Sequence, residues 1–538
     1  MKKIHKVIAM LLVVCLLLSG CSMLEEVGNV LAGYLGEDEY LSFEEMVYER
    51  PDVNALYAKK DALILSAAES TDAEALMEEV FAFFDDYQWF YTNLNLADIH
   101  YCIDLTDTYW QTEYNYCMEE SGNVDAAREE VLYALADSPL REELEHEDYF
   151  GADYFDSYEG ESIYNEELLA LMEQEAALEN EYYAISAEAA NVEYCSEEYY
   201  TAYGTQMAQV LVELVKVRQA QAACLGYDSY PEFANDFYHG RGFTTEEAIA
   251  YTDAVAENLA ELYRQVNSTY DWSMLYETCY EDQVFDYVKN TAEAMGGVVE
   301  SAFDNLEVDG LYHISYGENK YNSSFEVYLS SYDQPFIFVN PSLDQSDKLT
   351  FAHEFGHFAA DYMCWSSDAG TDVLEVHSQA MEYLSLIYGQ ADSALVEYKM
   401  VDCLCTYVEQ SAYARFELEL YELEGDALTV ENVQALYESI GNRFGFDSWG
   451  WDSRDYVTVP HFFTYPVYII SYVVSNDLAL QIYQQEQQSD GAGLATYEQI
   501  LESAHWEIMS FAEDYELQNP LDPARLEAVR QTLEEALK

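Results

Sequence analysis

The segment Leu349-Thr350-Phe351-Ala352-His353-Glu354-Phe355-Gly356-His357 carries two imidazoles four residues apart, with a carboxylate directly after the first. In a helix, positions i and i+4 stand on one face about a turn apart, so His353 and His357 can reach one ion while Glu354 projects beside them. Zinc accepts imidazole nitrogen at about 2.0 to 2.1 Å, and a catalytic zinc keeps three protein ligands and one open position. The pattern predicts metal-assisted hydrolysis, with Glu354 handling the proton. The third ligand should come from a neighbouring helix. Thr371 suits the N-cap of such a helix, which then sets Glu375, Ser378, Gln379 and Glu382 on one face. Glu375, eighteen residues past His357, is the candidate ligand, with a turn around Ser366 to Gly370 that lets two helices pack antiparallel.

A second cluster lies further on, at Pro460-His461-Phe462-Phe463 and Pro466-Val467-Tyr468-Ile469-Ile470-Ser471-Tyr472. Pro466 has no N–H and suits the first turn of a helix, so His461 is expected in the loop before it, with Tyr468 and Tyr472 on one face a turn apart. A histidine beside two phenols is a set of hydrogen-bond donors.

The elements that must hold these groups read as helix after helix. Met207, Val210, Leu211 and Leu214 follow helical spacing, Gly226 stands where a C-terminal cap belongs, and Thr244-x-x-Glu247 is a capping box. Acids and aromatics from Glu145 to Gly160 read as a long surface loop or an irregular connection. One place departs from helix. Phe325, Val327 and Leu329 alternate with Glu326 and Tyr328, Tyr332-Asp333-Gln334 is a turn, and residues 335–340 form a second apolar run, so a small sheet precedes the His353 helix.

His353-Glu354-Phe355-Gly356-His357 followed by Glu375-Val376-His377-Ser378-Gln379-Ala380-Met381-Glu382 resembles the M3 family of zinc peptidases, the thimet oligopeptidase and oligoendopeptidase F group. The His461 and Tyr468 cluster is similar to the PHFY and PFYxYxYA stretch of the oligoendopeptidase F branch, as are Leu225-Gly226-Tyr227-Asp228-Ser229-Tyr230 and Gly242-Phe243-Thr244-Thr245-Glu246-Glu247 upstream. The resemblance is strong from about residue 225 to 480. It implies a mainly α, multi-helix zincin-type peptidase with a small sheet beside the active-site helix and a deep channel admitting oligopeptides. It also implies one zinc per chain on His353, His357 and Glu375, with His461 and a tyrosine holding the scissile carbonyl and its oxyanion. Tyr468 and Tyr472 are the candidates, and Tyr465 stays open because branches differ in spacing. Many relatives carry a further His three residues after the second ligand, where this chain has Ala360. Asn322-Ser323-Ser324-Phe325 replaces a Gly-Ala-aromatic strand entry, which bears on how the edge strand near Phe325 to Ser330 would receive a peptide.

The chain has 22 basic and 103 acidic residues among 538, a net charge of −81. A phosphate backbone needs a cationic surface, so nucleic acid is excluded as the main partner. Half the residues are apolar and 50 are tyrosine, which favours a large core over disorder; 9 Pro and 24 Gly are too few for a turn-dense all-β fold.

Lys2, Lys3 and Lys6 precede an apolar run from Val7 to Leu18, of export-signal length and too short for a bilayer span. It closes on Leu18-Ser19-Gly20-Cys21, which resembles the bacterial lipobox, where the Cys is lipidated. Cleavage would leave a net charge of −84, because three Lys depart. The expected organisation is a signal over 1–20, an acidic tether over 21–40, a helical region over 41–235 and a catalytic region over 236–538. That chain would be anchored on the extracytoplasmic face of the membrane. Eight further cysteines show no CxxC pattern and are expected as buried thiols, with room for a bridge or two. The main alternative is a non-catalytic peptide-binding lipoprotein of the same fold, which would lack the base that Glu354 provides. A structural envelope protein or adhesin would need no metal.

Overall fold

A computed structural model describes residues 41–537 apart from 147–148, 159–163, 190–191, 364–368 and 503–504. The export signal, Cys21, the acidic tether, Cys364 and the Ser366 end of the expected turn lie outside the described residues.

The chain divides into two compact units, one of residues 1–90 with 124–162 and the other of residues 91–123 with 163–538. The first is helical. Helix α1 (Val53–Glu69) opens on Asp52, whose side chain accepts from the Ala55 N–H, and buries Leu56, Leu63 and Ala67. Val80, Phe83, Val131, Leu132 and Leu135 complete that core. Where it is described, the segment from Glu145 is an irregular connection, pinned rather than loose. A 3-10 turn at Tyr154–Tyr158 buries Phe155 completely, and Glu145 accepts from both the Phe155 N–H and Arg141. The apolar anchor is one aromatic among many, so alternation of acids and rings concealed it.

The larger unit carries the remaining helices and the sheet. Helix α2 (Thr205–Cys224) buries Met207, Val210, Leu211 and Leu214 and ends with Gly226 at φ +83°, as its spacing predicts. Helix α3 (Thr245–Thr269) starts on the Thr244 and Glu247 capping box. Strands β1 (Tyr312–Ile314), β2 (Ser324–Leu329) and β3 (Gln334–Val339) lie in the order β1-β3-β2. Strand β2 runs antiparallel to β3, with Phe325 opposite Phe338 and Val327 opposite Phe336, while β1 joins parallel from the other side. All of β3 is buried, which explains its unbroken apolar run. The expectation of two strands missed β1, whose three residues are too few to show a period.

Four helices build the site: α4 (Asp347–Tyr362), α5 (Thr371–Tyr388), α6 (Ser393–Cys405) and α7 (Ile470–Gln488). Helix α4 follows Ser346, and α5 is capped by Gly370 rather than Thr371. A Cβ at Gly370 would stand 1.9 Å from the Trp506 carbonyl oxygen, so close backbone approach, not side-chain capping, selects the residue there. Among the described residues, seven cysteines are free thiols. Cys102, Cys117, Cys279 and Cys403 are buried, whereas Cys195 is exposed. No helix among the described residues is long and apolar enough to cross a membrane.

Candidate metal centre

Helices α4 and α5 run antiparallel, since His353 meets Glu382 while His357 meets Glu375. Gly356 sets their separation. A Cβ there would stand 2.5 Å from Ser378 Cα and 2.6 Å from the His377 carbonyl oxygen, so only glycine lets the backbones approach this far. Nε2 of His353 lies 3.5 Å and Nε2 of His357 3.9 Å from Oε2 of Glu375, and the three donor atoms all fall within 4.8 Å of one another. Two imidazole nitrogens and one carboxylate oxygen aimed at one point fit a single divalent cation that takes mixed N and O ligands.

The surroundings fix that donor set. Nδ1 of His353 is 2.7 Å from Oε1 of Glu382, so its proton belongs there and Nε2 keeps its lone pair for an ion. Glu382 accepts in turn from Lys399 Nζ at 2.6 Å, and Lys399 also reaches Asp402 Oδ2 at 2.8 Å. Glu375 accepts from Tyr468 at 2.6 Å and from Ser378 at 3.1 Å. Burial lowers the pKa of His357 well below the usual imidazole value, with His353 and His377 adding to it, which favours the neutral ligand form. Burial would lower His353 too, but Glu382, Glu375 and Glu354 outweigh it and raise it to about 9, so an ion binding at Nε2 would displace a proton there while Nδ1 keeps its own on Glu382. Glu354 is buried next to the donor set; burial pushes its carboxyl up to about 7, against the pull of His353.

The second cluster reaches the same place by a different local structure. His461 opens a four-residue helix, His461–Thr464, rather than a loop, and α7 begins at Ile470, not at Pro466. Between them Val467 has φ +63°, a left-handed conformation that costs a β-branched residue on the order of 1–3 kcal/mol. Three buried side chains hold it there. Glu417 accepts from the Val467 N–H at 2.8 Å, Arg241 donates to the Val467 carbonyl at 2.7 Å, and His239 donates to the Pro466 carbonyl at 3.1 Å. Arg241 also holds Asp372 and Ser471, tying the start of α5 to α7. Tyr468 therefore precedes the helix, yet its ring stays 5.3 Å from that of Tyr472. Nε2 of His461 is 3.1 Å from the Tyr472 hydroxyl, and burial lowers His461 to about 4, keeping it neutral.

All seven residues singled out around the metal pattern are thus gathered: His353, Glu354, His357, Glu375, His461, Tyr468 and Tyr472. Sequence reasoning missed Lys399 and Arg241. A lysine between Tyr398 and Met400 in an apolar helix, in a chain with only 22 basic residues, was a usable signal. Arg241 gave none, because apart from Asn235 its hydrogen-bond partners, Asp372, Val467, Tyr468 and Ser471, lie more than 130 residues away. Glu326, which alternation turns away from its apolar neighbours, faces α4 instead. Burial and Asp361 push its carboxyl well up, and Asp361 itself rises to about 7.

Residues 43–162 match the family model described as the peptidase M3 N-terminal domain. No curated protein matches the chain in sequence. Among solved structures, an oligoendopeptidase F from crystals grown by microfluidic seeding aligns with a TM-score of 0.80 at 19% identity, covering 92% of this chain and 98% of its own. A PZ peptidase A with an inhibitor aligns at 0.79 and 18%, covering 92% and 99%. An oligoendopeptidase F from Bacillus anthracis str. Ames aligns at 0.77 and 18%, covering 92% and 98%. At these identities the likeness is one of fold. Together with the matched N-terminal segment, it bears out the resemblance to the M3 peptidases and their oligoendopeptidase F branch.

Proposed function

We propose that this chain is a zinc-dependent endopeptidase of the M3 type, cleaving short oligopeptides outside the cytoplasm while anchored to the membrane through a lipid on Cys21. The observation that carries the reading is the convergence of His353 Nε2, His357 Nε2 and Glu375 Oε2, with the Glu354 carboxyl beside them. A zinc ion bound there supplies Lewis acidity, which polarises a carbonyl and lowers the pKa of a water. Glu354 would take a proton from the attacking water at its carboxylate and deliver it to the leaving amine. The Tyr472 hydroxyl and His461, 3.1 Å apart, offer donors where negative charge develops on the former carbonyl oxygen. Tyr468 holds Glu375 in place. Strand β2 pairs with no strand but β3 among the described residues, so an extended peptide can add along its outer edge before Tyr328, whose carbonyl accepts from Asn95.

The test is direct. The purified chain should contain about one zinc, hydrolyse a mixture of oligopeptides, stop with chelator and recover with added zinc. A chain that binds peptides but never cuts them when loaded with zinc is the non-catalytic alternative. Anchoring rests on the sequence around Cys21, and Cys21→Ser should move the protein out of the membrane fraction with peptidase activity intact.

A further inference from the structure

A cavity of about 290 Å³ opens from His353, Glu354 and Tyr472 toward α6. Its far wall is formed by Asp402 and by the π-helical turn Thr406–Gln410 that continues α6. Such turns interrupt the regular hydrogen-bond ladder and recur at functional sites. Here it brings Thr406 and Gln410 into the cavity wall. Opposite them, Ser346, Thr350 and Gln379 add further polar groups.

The charge of this wall is specific. Among the described residues, Lys399 is the one lysine or arginine lining the cavity, and it is 2% exposed, already held by Glu382 at 2.6 Å and Asp402 at 2.8 Å. Away from the metal ligands, an incoming anion would find no free lysine or arginine in this wall. Asp402, in contrast, keeps its side chain 36% exposed, with one oxygen on Lys399. Gln379 supplies a second, independent sign. It is 4% exposed, its amide nitrogen donates to the Tyr472 carbonyl and to Ser475, and its amide oxygen has no partner. A buried acceptor left unpaired costs free energy until a donor arrives. The half-exposed Asp402 carboxylate and the spare Gln379 acceptor, on the wall away from the metal ligands, select a cationic group with several N–H donors.

We propose that this cavity receives an arginine or lysine side chain of the substrate, adjacent to the bond being cut, with Asp402 and Gln379 as its acceptors. The inference rests on the peptidase reading above. It goes beyond it in assigning a substrate class to this wall.

The experiment is a peptide library digested by the zinc-loaded full chain and read by mass spectrometry, followed by kcat/KM for matched Arg, Leu and Glu peptides. One position flanking the cleaved bond should favour Arg or Lys over Leu by about tenfold or more, as a charge-assisted hydrogen bond implies, and Glu should be disfavoured. Asp402→Asn should shrink the Arg-to-Leu ratio at least about threefold, and Gln410→Lys should bring it to one or below, with metal content measured in both. Calorimetric binding of the same peptides to Glu354→Gln ranks them without turnover. Absence of hydrolysis alongside a binding preference for Arg would therefore sink the peptidase reading while upholding the cavity's charge preference. Equal treatment of Arg and Leu in both assays, or a ratio untouched by both substitutions, overturns the assignment.

Discussion

The Tyr468 hydroxyl donates to Oε1 of Glu375 at 2.6 Å, leaving Oε2 as the oxygen that faces His353 and His357. The two tyrosines of the second cluster therefore divide their work: Tyr468 orients a ligand, and Tyr472, bonded to His461, is left to meet substrate. Tyr468→Phe should weaken metal binding by roughly 10- to 100-fold, the usual cost of losing a group that orients a ligand. Glu375→Ala should lose the metal outright, with Glu382→Ala nearer to Tyr468→Phe. Chelator competition ranks the three; retention of full affinity in Glu375→Ala would show that the wrong carboxylate has been chosen.

The donor set is fixed by hydrogen bonds of Glu382, Tyr468 and Ser378 in which Glu354 takes no part, so its removal should separate chemistry from structure. Glu354→Gln is expected to fold, keep its metal and lose turnover by several orders of magnitude, because the proton carrier is gone while the ligands stay. Substantial hydrolysis by a metal-loaded variant would remove Glu354 from the mechanism.

His461→Ala and Tyr472→Phe should each lower kcat more than they raise KM, since donors to a developing oxyanion act in the transition state. An effect confined to KM would reassign the pair to ground-state binding. Because the two groups share one hydrogen bond, the double variant should lose less than the product of the single losses.

The site was legible where chemistry follows local spacing, and hidden where it follows long-range contact. His353 and His357 are a fixed helical pair, and Glu375 and Glu382 share a face of the next helix, so four residues could be placed from periodicity. The path from Pro460 to Tyr472 could not. Pro466 suits a helix start, but Glu417, Arg241 and His239 hold Val467 left-handed and delay the helix to Ile470. Those three side chains come from elements 50 to 228 residues away, and no local pattern signals them. Gly370 likewise looks like part of a flexible turn until Trp506 is seen against it.

The clamp on Val467 makes a pH prediction. Glu417 is buried, accepts from the Val467 N–H through one oxygen and has no partner for the other. Burial pushes its carboxyl from 4.5 up to about 8, with the Val467 N–H, Arg218 and Arg241 only partly opposing. Between those values the folded chain holds a proton that the unfolded chain has lost. The protonated group's contribution is therefore complete below about pH 4.5 and is lost as pH rises through 8. Glu417→Gln keeps the acceptor and removes the titration, so its Tm relative to the parent should climb from pH 5 to pH 8 and level off above. A constant difference across that range would mean that Glu417 stays ionised in the fold.

Net charge gives the last prediction, and salt distinguishes it from the local preference of the α6 cavity. A chain at −81, or −84 once three signal lysines are removed, sets up a negative potential that steers cationic peptides inward before they touch the site. Steering acts across solvent and is screened over about 8 Å at physiological ionic strength, whereas a contact with half-buried Asp402 is screened far less. For Arg and Glu peptides matched at a position remote from the cleaved bond, kcat/KM should favour Arg at low salt and converge as salt rises, with kcat little changed. For the same pair placed beside the bond, a residual preference should survive high salt. Flat profiles at both positions would mean that the acids serve only to solvate the outer surface; a remote preference indifferent to salt would locate a second contact site in place of long-range steering.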